Sequence, residues 1–148
     1  MFEAFLKIFA MTTIFKYLGY TKIKLPSKGQ QKCADILGKI FPGYVFKTCR
    51  PNFLRNPKSG RNLELDLYCE KLNLAIEYNG QQHYKHTELF HRRYLDFTKQ
   101  QDRDKLKKQL CQKHGVKLIV VPYWEKDVEK FLKTKLQTKI NKNQCTIV

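Results

Sequence analysis

The sequence predicts an α/β protein in which a small mixed β-sheet is flanked by helices. Three observations lead to this fold class. Apolar and polar residues alternate through residues 61–84, which is typical of an antiparallel hairpin with one buried face. Residues 96–114 follow helical spacing, and the apolar run 116–121 predicts a strand. A strand that follows the hairpin through a helical crossover is expected to lie parallel to its neighbour.

The domain organisation follows from length and composition. A chain of 148 residues is long enough for one domain with one sizeable core. We divide it into an N-terminal apolar segment (1–26), a core (27–123) and a C-terminal amphipathic basic helix with its tail (124–148). Charged residues interrupt the apolar stretch 1–20, so it is not a transmembrane segment. We expect an amphipathic helix packed on the domain there, with dimer contact or membrane-surface binding as alternatives.

The core begins with a helix and a short strand. Ser27 and Gln30 match a capping box, in which each side chain bonds the other residue's backbone N–H, and this predicts a helix that ends near Pro42. Residues 44–48 predict the first strand. The connection that follows contains prolines, a glycine and four cations that we expect to bind phosphates: Arg50, Arg55, Lys58 and Arg61.

The hairpin sets acidic side chains at fixed intervals. Four apolar residues occupy alternate positions of its first strand: Leu63, Leu65, Leu67 and Cys69. We expect them on one buried face and Asp66 on the other. After a turn at 70–73, the strand 74–79 carries Glu77. Opposed residues of paired strands have Cβ atoms about 4.5–5.5 Å apart, so Asp66 and Glu77 can share a divalent cation.

An ordinary solvent-exposed strand face is the alternative interpretation of this hairpin. Glu77 argues against it, because a carboxylate flanked by Ile76 and Tyr78 is costly to bury without a partner.

The remaining elements are a helix, a strand and a terminal helix. The helix over 96–114 sets Asp104 and Lys107 beside its apolar stripe, where they lean toward the acidic hairpin or form a surface ion pair. Gly115 is expected to end this helix, and residues 116–121 to form a strand buried on both faces. Five apolar residues define an amphipathic terminal helix: Val128, Phe131, Leu132, Leu136 and Ile140.

The charge balance indicates the chemical class of the partner. A net charge of +16, from 29 basic and 13 acidic residues, favours a polyanion. Nucleic acid is the preferred partner, because Lys and Arg release counterions from phosphates, and an acidic membrane surface is the alternative. The five cysteines are odd in number and include no CxxC pair, which argues against a disulfide framework. We therefore expect an intracellular, reducing compartment, either cytoplasm or nucleus.

Three histidines, His83, His86 and His91, are close together in the sequence and raise the alternatives of a zinc site or an HNH-type nuclease. Both alternatives require cysteine or asparagine companions that this stretch lacks. We expect the histidines to line a path for phosphates.

These motifs resemble a known superfamily. The order is Asp66, ten residues, Glu77-Tyr78-Asn79-Gly80-Gln81-Gln82-His83, a helix with Asp104 and Lys107, and then Leu118-Ile119-Val120-Val121-Pro122. It resembles the PD-(D/E)XK, or restriction-endonuclease-like, nuclease superfamily over roughly residues 27–123. It is most similar to small stand-alone members from large DNA viruses and phages, related to very-short-patch-repair-type endonucleases.

The resemblance implies a restriction-endonuclease-like core and a metal site. Asp66, Glu77 and the Tyr78 carbonyl would bind the catalytic ion, Mg²⁺ or Mn²⁺. Members usually have lysine at the position of Asn79, and they often have glutamate on the first helix where this chain has Gln30.

Because this chain has Asn79 where superfamily members usually have lysine, no residue at that position can perform the usual role of the lysine. Asparagine can hydrogen-bond a water molecule but carries no positive charge. We expect Gln82 or His83, together with Lys107, to orient the water and to stabilise the developing charge.

The resulting hypothesis is a metal-dependent endonuclease acting on nucleic acid, with DNA favoured over RNA. Its predicted catalytic residues are Asp66, Glu77, Asn79, Gln82, His83 and Lys107. Its predicted nucleic-acid-binding residues are Arg50, Arg55, Lys58, Arg61, Arg92 and Arg93. The alternative is a nuclease-fold protein that binds nucleic acid without cutting it, and a homodimer is left open in either case.

Overall fold

The computed structural model of the chain describes residues 25–85 and 94–144, with the side chains of 94–95 and 138–144 excepted. Its helices and strands, in chain order, are α1 (Lys28–Ile40), β1 (Lys47–Cys49), β2 (Leu65–Cys69), β3 (Leu74–Asn79), α2 (Tyr94–Lys113), β4 (Lys117–Pro122) and α3 (Val128–Gln144). Short 3₁₀ helices occur at Asn52–Leu54, Glu70–Leu72 and Gln81–His83.

The strands form one mixed four-stranded sheet in the order β1-β2-β3-β4. β1 pairs with β2 and β2 with β3 in antiparallel fashion, whereas β3 and β4 are parallel. The long helix α2 lies between the two parallel strands in the chain. The predicted α/β class is therefore confirmed, with an antiparallel hairpin followed by a helical connection to a parallel strand.

Helices cover both faces of this sheet. On one face, α1 and α3 pack through Cys33, Leu37 and Leu132 against strand residues that include Leu74 and Ile76. On the other face, a smaller cluster joins the strands to α2, and its buried members are Leu54, Leu65, Tyr68, Ala75, Cys111 and Val116. The inner strands are therefore buried on both faces, and any polar side chain on them needs a partner.

Two local predictions are confirmed at the ends of elements. Ser27 caps α1 through its side chain and Gln30 bonds back to the Ser27 backbone, which completes the capping box. Gly115 follows α2 at φ +67°, the left-handed conformation that glycine adopts readily. The hairpin turn ends at Asn73, also left-handed at φ 45°.

The first two strands depart from the prediction. β1 covers Lys47–Cys49 rather than residues 44–48. Leu65 packs in the α2 cluster, whereas Leu67 and Cys69 pack on the opposite face, so the predicted common face is wrong. The pairing of β1 with β2 is irregular, because two steps along β1 correspond to three steps along β2, and such a bulge reorients side chains.

The prediction that the strand over 116–121 is buried on both faces is also wrong. β4 lies at the edge of the sheet, and only Ile119 and Val121 within it are buried. An edge strand has one neighbour, so its outer positions stay partly accessible.

Several other predictions fall outside the described residues, namely the helix over residues 1–20 and the roles of His86, His91, Arg92 and Arg93. Within the described ranges, no helix is both long and apolar enough to span a bilayer. The cysteines of those ranges, Cys33, Cys49, Cys69 and Cys111, are all free thiols.

Candidate active site

The two predicted acids meet where β2 and β3 separate. Backbone pairing of the two strands includes Leu67 opposite Ile76, and one step further the same register sets Asp66 opposite Glu77. There the side chains supply the cross-strand hydrogen bonds. The Asp66 N–H donates to Glu77 Oε1 at 3.0 Å, and the Tyr78 N–H donates to Asp66 Oδ2 at 3.3 Å. Each carboxylate is thus held by the backbone of the opposite strand.

Glu77 is a buried carboxylate with a cationic partner. Lys107 on α2 donates from Nζ to Glu77 Oε2 at 2.7 Å, and the two side chains are only 13% and 7% exposed. Burial raises the pKa of the Glu77 carboxyl above its ordinary value. The Lys107 ammonium lowers the pKa of Glu77 without cancelling the effect of burial. The negative charge of the nearby Asp66 raises that pKa further.

The oxygen atoms at this point suit a hard divalent cation. Asp66 is half-buried, and within the described part of the chain its Oδ1 has no hydrogen-bond partner. The N–H and C=O of one strand residue point toward the same neighbour, so the Tyr78 carbonyl lies on the Asp66 side of β3. Two carboxylates and a carbonyl are ligands that Mg²⁺ accepts, with water completing its shell. Among the described residues, no three His, Cys, Asp or Glu side chains are grouped to hold a metal.

A histidine and an aspartate form a second polar pair beside the acids. His83 Nδ1 lies 2.7 Å from Asp104 Oδ2, and both side chains are partly buried. Asp104 and Lys107 are three positions apart on α2 and therefore share a helix face. Asp104 consequently contacts His83 rather than the two acids, while Lys107 contacts Glu77.

The other candidates at the end of β3 have different contacts. Asn79 is buried, and its side chain hydrogen-bonds the Tyr84 hydroxyl. Burial raises the pKa of the Tyr84 phenol; the bond with Asn79 opposes that rise and the charge of Asp104 reinforces it. Gln82 folds back over Gly80, where a Cβ atom would lie 2.4 Å from Gln82 Oε1. The structure therefore brings Lys107 to Glu77 and the Gln82 amide to the backbone at Gly80.

Gln30, at the position of the first-helix acid in the resembling superfamily, is engaged elsewhere. Its Oε1 accepts a 2.7 Å hydrogen bond from the Ser27 N–H. The side chain therefore serves the start of α1 and supplies no charge to the site.

A basic groove adjoins these residues. It runs between the segment 50–64 and α2 and has a volume of about 960 Å³. Its charged lining consists of the cations Arg50, Lys58, Arg61, Lys99, Arg103, Lys105 and Lys107 and the acids Glu64, Asp102 and Asp104. His83 also lines the groove, so the groove leads directly to the His83–Asp104 pair.

Three of the predicted phosphate-binding residues, Arg50, Lys58 and Arg61, line this groove, whereas Arg55 does not. Arg50 is paired with Glu64 at 2.9 Å. The opposite wall was missed, although the sequence contains its signal: Lys99, Arg103 and Lys107 are four residues apart and so form one stripe along α2.

Fold and site together define a mixed α/β protein with a carboxylate pair and a lysine at the splayed end of a hairpin. The chain belongs to a family of viral proteins that includes Uncharacterized protein 094L of Frog virus 3 (isolate Goorha), to which it is 45% identical over 108 residues. That alignment covers 72% of this chain and 69% of the Frog virus 3 protein.

Two further relatives come from invertebrate iridescent viruses. Uncharacterized protein 033L of Invertebrate iridescent virus 3 is 42% identical over 113 residues, and Uncharacterized protein 307L of Invertebrate iridescent virus 6 is 47% identical over 126 residues. The alignments cover 75% of this chain in both cases, but only 58% and 64% of those proteins. No protein-family profile and no solved structure matches the chain.

Proposed function

We propose that this protein is a metal-dependent nuclease that hydrolyses phosphodiester bonds in nucleic acid, DNA in preference to RNA, on a restriction-endonuclease-like core. The observation that carries the proposal is the meeting of Asp66, Glu77 and Lys107 at one end of the hairpin. Burying Glu77 and Lys107 beside the half-buried Asp66 is costly, and hydrophobic residues of similar volume would often serve stability equally well. Such a constellation is more readily explained by chemistry than by stability.

Asp66, Glu77 and the Tyr78 carbonyl would hold Mg²⁺ or Mn²⁺. When bound, the ion lowers the pKa of a ligated water and offsets negative charge on the phosphate. The Lys107 ammonium, which reaches the site from α2, would supply the positive charge that Asn79 lacks. The expected lysine role is thus transferred from the strand to a helix.

His83 would receive the proton of the attacking water. In the neutral tautomer in which Nδ1–H donates to Asp104, the ring's Nε2 is the free proton acceptor. The water oxygen forms a bond to phosphorus, the bond to the leaving oxygen breaks, and the leaving oxygen takes a proton from solvent. Asp104 acts here as a positioning residue.

The basic groove would hold the nucleic-acid backbone. Lys99 and Arg103 are in no ion pair among the described residues, and they line the same groove as His83. They are available to neutralise phosphates and to displace counterions.

Cleavage by two isosteric variants tests the site. Asp66→Asn and Glu77→Gln should abolish Mg²⁺- or Mn²⁺-dependent cleavage of DNA, while metal-free DNA binding stays equal or becomes tighter because each change removes a negative charge. Glu70→Gln, an exposed change in the hairpin turn, serves as the matched control and should leave cleavage intact. Persistent cleavage by both site variants would refute the assignment.

Salt-dependent binding tests the groove separately. Duplex affinity falls by about 0.9 log unit per log unit of salt for each phosphate neutralised. Arg103→Ala should weaken binding and lower that slope by about one. Lys32→Ala, on the exposed side of α1, is the control and should change neither.

A second candidate function is nucleic-acid binding without cleavage. It is favoured by the amide at Asn79, which bonds Tyr84, and by Gln30, which is used as a capping residue. Wild-type protein that binds DNA with a steep salt dependence but cleaves it under no divalent ion would establish this alternative.

A further inference from the structure

Three aromatic rings cluster at the edge of the sheet where β3 and β4 end. Tyr84 follows the 3₁₀ turn after β3, and Tyr123 and Trp124 follow β4 directly. The Tyr84 ring centroid lies 4.3 Å from that of Trp124 and 6.0 Å from that of Tyr123, and the latter two are 5.0 Å apart. The parallel register, in which Asn79 pairs with Pro122, brings the two segments together.

This aromatic cluster, Tyr84, Tyr123 and Trp124, is not part of either core. None of its rings belongs to the two buried clusters of the described residues. Trp124 is 54% exposed and Tyr84 is 36% exposed. Neighbouring exposed aromatic rings keep apolar faces in water, which marks an interaction surface rather than a packing element.

The cluster adjoins the proposed catalytic residues. Tyr84 bonds Asn79 through its hydroxyl group, and Asn79 lies two residues after Glu77. Tyr84 also follows His83, which is paired with Asp104. Tyr84 therefore has its polar end at the site and its ring against Trp124.

The chemistry of the surroundings selects the occupant. A net charge of +16 and the basic groove favour a polyanion, and a nucleobase is the planar group that a polyanionic nucleic acid can present to aromatic rings. A base inside a duplex has both faces covered by its neighbours, whereas an unpaired base exposes its faces for stacking on aromatic side chains. We propose that Tyr84, Tyr123 and Trp124 stack an unpaired base next to the bond to be cut, so that the substrate class is single-stranded or locally unpaired DNA.

The position of the cluster beside the cleaved bond rests on the proposed nuclease function, but stacking itself is measurable without cleavage. Trp124 is the chain's single tryptophan, so its fluorescence reports on this surface directly. The full chain, without divalent ions, is titrated with a single-stranded oligonucleotide, a blunt duplex of the same sequence, a duplex with an unpaired overhang, and inorganic polyphosphate.

We expect the single strand and the overhang duplex to quench Trp124 fluorescence. Saturating blunt duplex or polyphosphate should not quench it. Trp124→Ala should weaken single-strand affinity roughly 5- to 100-fold without changing the salt slope, because it removes stacking and no phosphate contact. Tyr44→Ala, an exposed tyrosine packed beside Phe41, is the control and should have no effect.

Equal quenching by polyphosphate or blunt duplex, no quenching at saturation, or unchanged affinity of Trp124→Ala would overturn the proposal. Failure of the nuclease proposal is distinguishable: wild-type protein would then show the quenching but cleave no DNA. Cleavage of blunt duplex without quenching would reject the stacking proposal and leave the nuclease proposal standing.

Discussion

Lys107 on α2 donates a 2.7 Å hydrogen bond to Glu77 on β3, although thirty positions separate the two residues in the chain. The contact joins a helix to the strand it covers and sets a positive charge at the end of the hairpin. Both side chains are largely buried, so the attraction between them is the main interaction that offsets the loss of hydration of each group.

Lys107→Met is expected to destabilise the protein by roughly 3–5 kcal/mol near neutral pH, because Glu77 is left charged and buried without a cation. Combining it with Glu77→Gln should recover much of that loss, since no uncompensated charge remains. Urea unfolding of the two single variants and the double variant measures the coupling. Mn²⁺ should raise the Tm of Lys107→Met more than that of wild type, because the ion replaces the ammonium.

The control for this prediction is Lys108→Met, the exposed neighbour on the same helix, which should stay within about 0.5 kcal/mol of wild type. Equal losses for the two lysine variants would mean that the Lys107–Glu77 pair contributes nothing specific.

The raised pKa of Glu77 predicts a pH dependence of stability. A carboxyl group whose folded pKa lies above its unfolded value stabilises the fold fully below the unfolded value, 4.5, and that contribution is lost as pH rises through the folded value. Wild type should therefore lose stability relative to Glu77→Gln as pH rises from below 4.5 toward neutrality. The loss is about 1.4 kcal/mol for every tenfold difference in proton affinity between the folded and unfolded states.

Urea unfolding of wild type and Glu77→Gln over a pH series measures that difference. The opposite result would be a free energy of unfolding that rises with pH in wild type relative to Glu77→Gln. It would show that the Lys107 charge outweighs burial and lowers the pKa of Glu77.

Gly29 allows α1 to approach the sheet beside the site. A Cβ at Gly29 would lie 2.3 Å from ring atoms of Tyr78, the residue whose N–H holds Asp66. Gly29→Ala should therefore cost about 1–3 kcal/mol through overpacking and weaken cleavage by displacing Tyr78. Thermal unfolding together with a cleavage assay tests both effects.

The same helix offers the matched control. Gly38 is exposed on α1 and a Cβ there would meet nothing within 4 Å. Gly38→Ala should stabilise the protein by about 0.5–1 kcal/mol, because alanine loses less backbone entropy in a helix. Destabilisation by both variants would indicate that the helix tolerates no alanine and that Tyr78 is not the cause.

The sequence predicted those features that depend on neighbours a few positions away. The strand Leu74–Asn79, the capping box at Ser27 and the helix stop at Gly115 all follow from periodicity or from local hydrogen bonding. The opposition of Asp66 and Glu77 was also predictable, since a short turn leaves few registers for a hairpin. The four-residue spacing of Lys99, Arg103 and Lys107 also predicts a stripe on one face of the helix. The local sequence does not indicate which face of that helix lines a groove.

Only the tertiary structure decided how distant segments combine. The bulge that sends Leu65 and Leu67 to opposite faces, and the edge position of β4, depend on pairing between strands rather than on pattern within one. The contacts of Lys107 with Glu77 and of Trp124 with Tyr84 depend on α2 covering the sheet and on β3 and β4 ending at one edge. Local patterns constrain residues within about one turn or one strand, whereas the packing of whole elements against a common core determines which side chains meet across long stretches of chain.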